Sequence, residues 1–169
     1  EVAEQLARIA REMAPDEPEA RRLGLEQRLL ADTMRELVSY AVGCMFGRYS
    51  LDKPGLILAN QGETVADYVR KVRGSEVEGS EGQKITFMPD RDNAIPILDG
   101  DWFDDDIVGR FRQFLRVTFG EEHFADNLAF VEAALGRDLR SFFLREFYDD
   151  HLKRYKKRPI YWLFSSAKG

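Results

Sequence analysis

"EARRLGLEQRLLADTMRELVSYAVGCMFG" (residues 19–47) carries the longest helical period in the chain. Apolar residues recur at three- and four-residue steps through Leu25, Leu29, Leu30, Met34, Leu37, Val38, Ala41, Val42 and Met45, the period of one helix face. Pro18 stands where a first turn can begin and Glu19 follows it, so the spacing predicts a long helix from about residue 18 to 46. Its second half is nearly all apolar, which predicts burial on most sides. Gly43 and Gly47 lie inside that apolar run, where they permit close packing and are poorly placed to cradle a phosphate.

Before it, Val2, Leu6, Ile9 and Met13 mark a candidate N-terminal helical arm over 1–16, and Pro15 ends it. Beyond the long helix, Gly47, Pro54 and Gly55 predict a loop anchored by Leu51, Leu56, Ile57 and Leu58. The run "ETVADYVRKVRGS" (63–75) fits either a short helix or irregular chain. "GSEVEGSEGQK" (74–84) has the composition of a mobile loop. Short strands are expected near 85–98 and 159–164, limited to an edge by Pro89 and Pro96. Helices are expected over 104–119, 121–135 and 138–154, stopped by Gly120 and Gly136. The expected class is therefore mainly α with a minor β component: a single helical domain over 1–169 built on a long central helix.

Composition narrows the function classes. The chain has 169 residues, 44% of them apolar, enough for a real core. No apolar run approaches the ~20 residues of a membrane-spanning helix, and no secretory signal is visible at the start. Cys44 is the single cysteine, which excludes intramolecular disulfides and multi-cysteine zinc sites. A cytoplasmic location is the expectation. Charge is unevenly placed. Residues 1–136 hold 16 Lys/Arg against 26 Asp/Glu, whereas 137–169 hold 9 against 4. A basic end on an acidic body suits a polyanion, or an acidic neighbour on which a last helix docks.

The motifs of a complete active site are missing. "LDGDWFDDD" (98–106) lacks the alternating ligands, central Gly and final Glu of a calcium loop. It reads more simply as a helix start, with Asp104 as cap and Asp105 and Asp106 in the first turn. His123 and His151 lie in no ligand or triad pattern, and His123 reads as a surface or capping residue. No catalytic, cofactor-binding or metal-ligating residue is assigned. What stands out is "KRYKKR" (153–158), five cations in six residues, followed by the aromatic "IYWLF". Phosphate contacts from such a cluster would give sequence-independent, salt-dependent affinity, whereas a helix C-terminal cap needs fewer cations. The candidate DNA contacts are Lys153, Arg154, Lys156, Lys157 and Arg158, with Arg48 added because it ends the apolar helix in "FGRYS". For Arg48, pairing with an acidic residue of 99–106 is the competing expectation. "RPIYWLF" (158–164) reads as a buried strand or core anchor, and its alternating aromatics argue against a membrane-surface helix.

Three stretches carry a family resemblance: "ELVSYAVGCMFGRYSLDKPGL" (36–56), "IPILDGDWFDDDIVGRFRQFL" (95–115) and "YKKRPIYWLFSSAKG" (155–169). From about residue 25 to its end the chain resembles the post-catalytic part of the PglX family, adenine-specific DNA methyltransferases of bacteriophage-exclusion (BREX) defence systems. The resemblance implies a parent enzyme that moves a methyl group from S-adenosylmethionine to the adenine amine of a flipped-out base. Such enzymes use a glycine-bearing cofactor loop and an Asn-Pro-Pro-Tyr type tetrapeptide. This chain has no Gly-x-Gly and no Pro-Pro, and its abrupt ends fit a piece of a larger protein. The resemblance thus implies a non-catalytic region supporting DNA binding or target recognition, with DNA and the rest of the methyltransferase chain as partners. The alternative is an interaction or scaffolding module packed on the catalytic domain or on other defence-system proteins.

Overall fold

Helical periodicity governs the fold. The computed structural model describes residues 17–74 and 84–165. The candidate arm over 1–16, and the 74–84 loop apart from its two end residues, lie outside the described residues. The predicted long helix is α1, Glu17–Met45. The chain divides into two units between Thr33 and Met34, within this helix.

In the first unit, Leu23, Leu25 and Leu29 are exposed, at 42%, 64% and 69%. Among its described residues the apolar spacing places none in a core. Local bonds hold this part of the helix: Arg22 pairs with Glu19 and Glu26 at 3.8 Å each, and the Thr33 hydroxyl donates to the Leu29 carbonyl at 2.8 Å. Exposed pairs of this kind contribute only about 0.3–0.5 kcal/mol each.

In the second unit, Val38, Ala41, Val42, Cys44 and Met45 are buried, as the apolar run predicts. Gly43 and Gly47 permit the close approach expected of them. A Cβ on Gly43 would fall 2.4 Å from Tyr49 Cδ2, and one on Gly47 would fall 2.8 Å from Leu58 Cδ1. Gly47 also has φ +73°, the left-handed turn that ends α1.

The ambiguous 63–75 stretch is helical: α2 is Val65–Arg73. Thr64 caps it reciprocally with Asp67, satisfying amides the helix leaves unpaired. Tyr68 and Val72 of α2 join Ile57 and Ile85 in a small satellite cluster. Next come α3 (Ile107–Phe119), a single 3₁₀ turn (Glu121–His123), and α4 (Phe124–Leu135). The expected 138–154 helix is two pieces, α5 (Leu139–Arg145) and α6 (Phe147–Arg154), broken at Glu146. There the chain kinks to φ −124°, ψ −33°, and the Glu146 carboxylate pairs with Arg137 at 2.6 Å and Arg35 at 3.8 Å.

The core is strongly aromatic. Phe87 meets Phe114 edge-on at 5.8 Å, Phe111 lies 6.1 Å from Phe114 and 6.3 Å from Phe143, and Phe142 packs against Phe147 at 6.4 Å. Each such ring buried contributes about 1.5–3 kcal/mol by area alone, with roughly 0.5–1.5 kcal/mol more per well-oriented pair.

The expected minor β component is a correction: no strand occurs among the described residues. In 85–98 the backbone groups that a ladder would use are bonded elsewhere. The Thr86 amide donates to Asp52 at 2.8 Å, the Asp90 amide to the Met45 carbonyl at 2.7 Å, and the Pro96 carbonyl accepts from the Ile107 amide at 2.9 Å. Pro89 and Pro96 contribute no amide at all. The segment is an irregular strap, bent at 86–87 and 91–93, whose bonds go to helix ends and side chains. In 159–164 the Ile160 and Tyr161 amides donate to the His151 ring, which replaces a strand partner. β-Propensity was present in both places, but pairing partners were not.

Candidate nucleic-acid interface

The basic segment forms the end of α6, and its backbone geometry decides how it displays its charges. The Lys157 amide donates to the Leu152 carbonyl at 2.7 Å and the Lys156 amide to the Lys153 carbonyl at 3.1 Å. Those two bonds make a Schellman cap, in which the closing position needs a left-handed backbone and usually takes glycine. Here it is a lysine. Lys156 has φ +51°, and Lys157 follows at φ +61°. Two successive left-handed lysines each bear a strain of about 1–2 kcal/mol relative to the ordinary helical conformation. Such outliers persist where surrounding structure enforces them, and they concentrate at functional sites.

Lys153, Lys156, Lys157 and Arg158 are exposed, and among the described residues none has a carboxylate within salt-bridge distance. Arg154 behaves differently. Its guanidinium pairs with Asp150 at 3.2 Å and with Glu36 of α1 at 3.3 Å, and it is partly buried. Of the five cations in the run, four are displayed and one ties α6 to α1. Arg154, Tyr155, Lys156 and Arg158 line an open cleft of about 350 Å³.

Arg48 reaches the same neighbourhood from the end of α1. Burial raises the phenol pKa values of Tyr155 and Tyr161, and the Arg48 charge offsets part of that rise. The expected pairing of Arg48 with the 99–106 cluster does not occur: among the described residues its side chain has no ion pair, and its buried Nε has no hydrogen-bond partner. The acidic cluster is served by Arg140 instead. Arg140 donates to the Leu98 carbonyl at 2.7 Å and to Asp106 at 2.6 Å, and also pairs with Asp101. Asp106, not Asp104, caps α3, accepting from the Gly109 amide at 2.8 Å. Among the described residues no group of three or more potential metal ligands converges.

His151 is the site residue that sequence reasoning missed. It is 1% exposed and ringed by Phe147, Tyr148, Tyr155 and Tyr161, at centroid distances of 6.2, 6.1, 4.8 and 4.9 Å. Its Nε2 accepts the Ile160 amide at 3.1 Å and the Tyr161 amide at 3.4 Å, so the neutral ring carries its proton on Nδ1. Burial lowers its pKa, with Asp150 opposing that fall. The signal was available: Phe143, Phe147, His151 and Tyr155 recur every fourth residue, one helical stripe.

The tail beyond this ring divides. Tyr161 is anchored, its ring stacked on Phe46 at 4.8 Å and on His151. The expected burial of the rest fails, since Trp162 is 72% exposed, Leu163 49% and Phe164 90%. A second exposed aromatic pair, Trp102 at 71% and Phe103 at 63%, stands on the acidic loop. Among the described residues no helix is long and apolar enough to cross a membrane.

Comparison with known proteins gives two close likenesses. The chain is 41% identical to the adenine-specific methyltransferase BrxX of Escherichia coli O9:H4 (strain HS), an alignment covering 82% of the chain and 12% of that protein. It is 35% identical to the adenine-specific methyltransferase PglX of Lacticaseibacillus casei (strain Zhang), covering 94% of the chain and 13% of that protein. The chain thus spans about an eighth of the length of these curated relatives. No family model matches it.

Proposed function

Since this chain is homologous over most of its length to a segment of PglX-like proteins, we propose that it is a non-catalytic DNA-contacting region of an adenine-specific methyltransferase of a phage-defence system. One observation carries the reading. Lys153, Lys156, Lys157 and Arg158 are exposed without acidic partners, and two of them are held in a costly backbone conformation that presents them outward. Cations so displayed bind phosphates and release counterions, giving affinity without base reading. Arg48 adds positive charge near Tyr155, and Arg154 serves as a structural tie more than a contact.

Methyl transfer by the whole protein, with S-adenosylmethionine as donor and the cytoplasm as setting, is part of the same proposal. No step of it is assigned to these residues. The cleft at the end of α6 is lined by three cations and a tyrosine, and the donor's sulfonium is itself a cation, so the cleft does not fit it.

Titration of the chain against a short DNA duplex at two salt concentrations tests the reading. With four phosphate contacts, affinity falls about a hundredfold between about 50 and 200 mM salt. Charge reversal of the four displayed cations removes both the binding and its salt dependence. Binding that ignores salt, or survives reversal, overturns it.

A second reading is favoured by Trp102 and Phe103, which stand exposed between Asp99, Asp101, Asp104 and Asp105. Aromatics on an acidic loop suit a cationic protein surface, either the catalytic part of the same protein or another defence-system subunit. Absence of DNA binding even at low salt leaves this interaction module as the function.

A further inference from the structure

We infer that the exposed aromatics Trp162 and Phe164 form a stacking platform for unpaired nucleobases, so that the end of α6 grips single-stranded DNA more tightly than duplex. This rests on the DNA-contact reading and specifies the form of the ligand. Three observations meet here. Four unpartnered cations, Lys153, Lys156, Lys157 and Arg158, immediately precede the aromatics in the chain. Trp162 and Phe164 are 72% and 90% exposed, although residues of these types are mostly buried. The chain between them is pinned: His151 holds the Ile160 and Tyr161 amides, and the Tyr161 ring is stacked between His151 and Phe46.

Pinning matters because it limits what ordering costs on binding. Arg158 and Trp162 are four residues apart, which caps their Cα separation at about 14 Å, a span of a few nucleotides. Cations that track a backbone beside aromatic faces make the general single-strand binding arrangement, since every base has a π-face to stack. A duplex keeps its bases stacked on one another and can use only the cations. The preference for an unpaired strand therefore comes from the aromatics, and duplex affinity from the charges.

A twelve-nucleotide thymidine strand and a duplex of equal length are the probes, used with the 169-residue chain carrying Trp102→Phe so that Trp162 alone reports fluorescence. The strand is expected to bind at least about tenfold tighter than the duplex and to quench Trp162. Trp162→Ala with Phe164→Ala is expected to remove that preference and leave duplex affinity within about twofold, since neither ring lies in the core. Equal affinities without quenching, while salt-dependent duplex binding persists, overturn the platform and leave the charge contacts standing. Loss of duplex and strand binding together in the double alanine variant also overturns it. Absence of binding to both probes by the unmutated chain overturns the DNA reading itself.

Discussion

The backbone N–H of Ile160 donates to the Nε2 of His151 at 3.1 Å, so a neutral imidazole fastens the basic tail to the core. A protonated ring cannot accept that bond, because both nitrogens then carry hydrogen. The desolvated ring's pKa lies below its ordinary 6.5, so on acidification the unfolded chain takes up this proton before the folded one. The contribution to stability is complete above about pH 6.5 and is lost as pH falls toward the depressed folded value, with a slope up to about 1.4 kcal/mol per pH unit. Urea unfolding at about pH 8 and pH 5.5 is expected to show this loss in the native chain. In His151→Phe, which does not titrate, that increment should vanish. An unchanged pH dependence in the variant would show that His151 is not its source.

The left-handed lysines set stability against function. Glycine at Lys156 relieves about 1–2 kcal/mol of backbone strain and costs about 0.5–1 kcal/mol through the unfolded chain, a net gain of roughly 0.5–1 kcal/mol. Lys156→Gly is therefore expected to raise the unfolding midpoint while weakening duplex binding and lowering its salt slope by about one contact. A variant that loses stability would mean that the cap is not strained in this way.

The elements most legible in the sequence are those fixed by local chemistry. Gly120 and Gly136 mark helix ends whose reasons lie within four residues. What escaped depends on distant partners. Arg154 counts as a free cation until folding brings Glu36 to it, 118 residues away in sequence. Ile85–Leu98 has strand-like side chains, yet Asp52, Met45 and Ile107 supply its backbone bonds. Asp104 reads as the cap of α3 until folding brings Arg140 to Asp106, which takes the Gly109 amide instead. His151 was hidden by its charged neighbours Asp150 and Lys153, although its four-residue register with Phe147 and Tyr155 places it on the apolar stripe.

Gly43 offers a test of close packing. Alanine ordinarily favours a helix over glycine by about 1 kcal/mol. At Gly43 the added methyl meets Tyr49 Cδ2 at 2.4 Å and lies 3.3 Å from the Tyr161 hydroxyl. Overpacking of this kind costs about 1–3 kcal/mol, so the clash outweighs the propensity. Gly43→Ala is expected to lower the thermal midpoint and to disturb the Tyr161 anchor, seen as increased chymotryptic cleavage after Tyr161. A stabilised variant would mean that Tyr49 moves aside without cost.

The clamp between Arg140 and Asp106 bears on both the core and the acidic loop. Asp106 is 1% exposed, caps α3 through the Gly109 amide and receives Arg140 Nη1 at 2.6 Å. Removing one partner of a buried pair leaves an uncompensated charge, which costs more than the pair itself contributes. Asp106→Ala strips Arg140 of that partner and α3 of its cap, and is expected to destabilise the chain by about 3–5 kcal/mol in denaturant unfolding. Arg140→Met keeps the apolar stem and the cap but leaves Asp106 charged and buried, so it should also destabilise. The double variant Asp106→Ala/Arg140→Met leaves neither charge, and should lose markedly less than the sum of the two single changes. Strict additivity would show that the two residues act separately, with Asp106 serving as a cap alone.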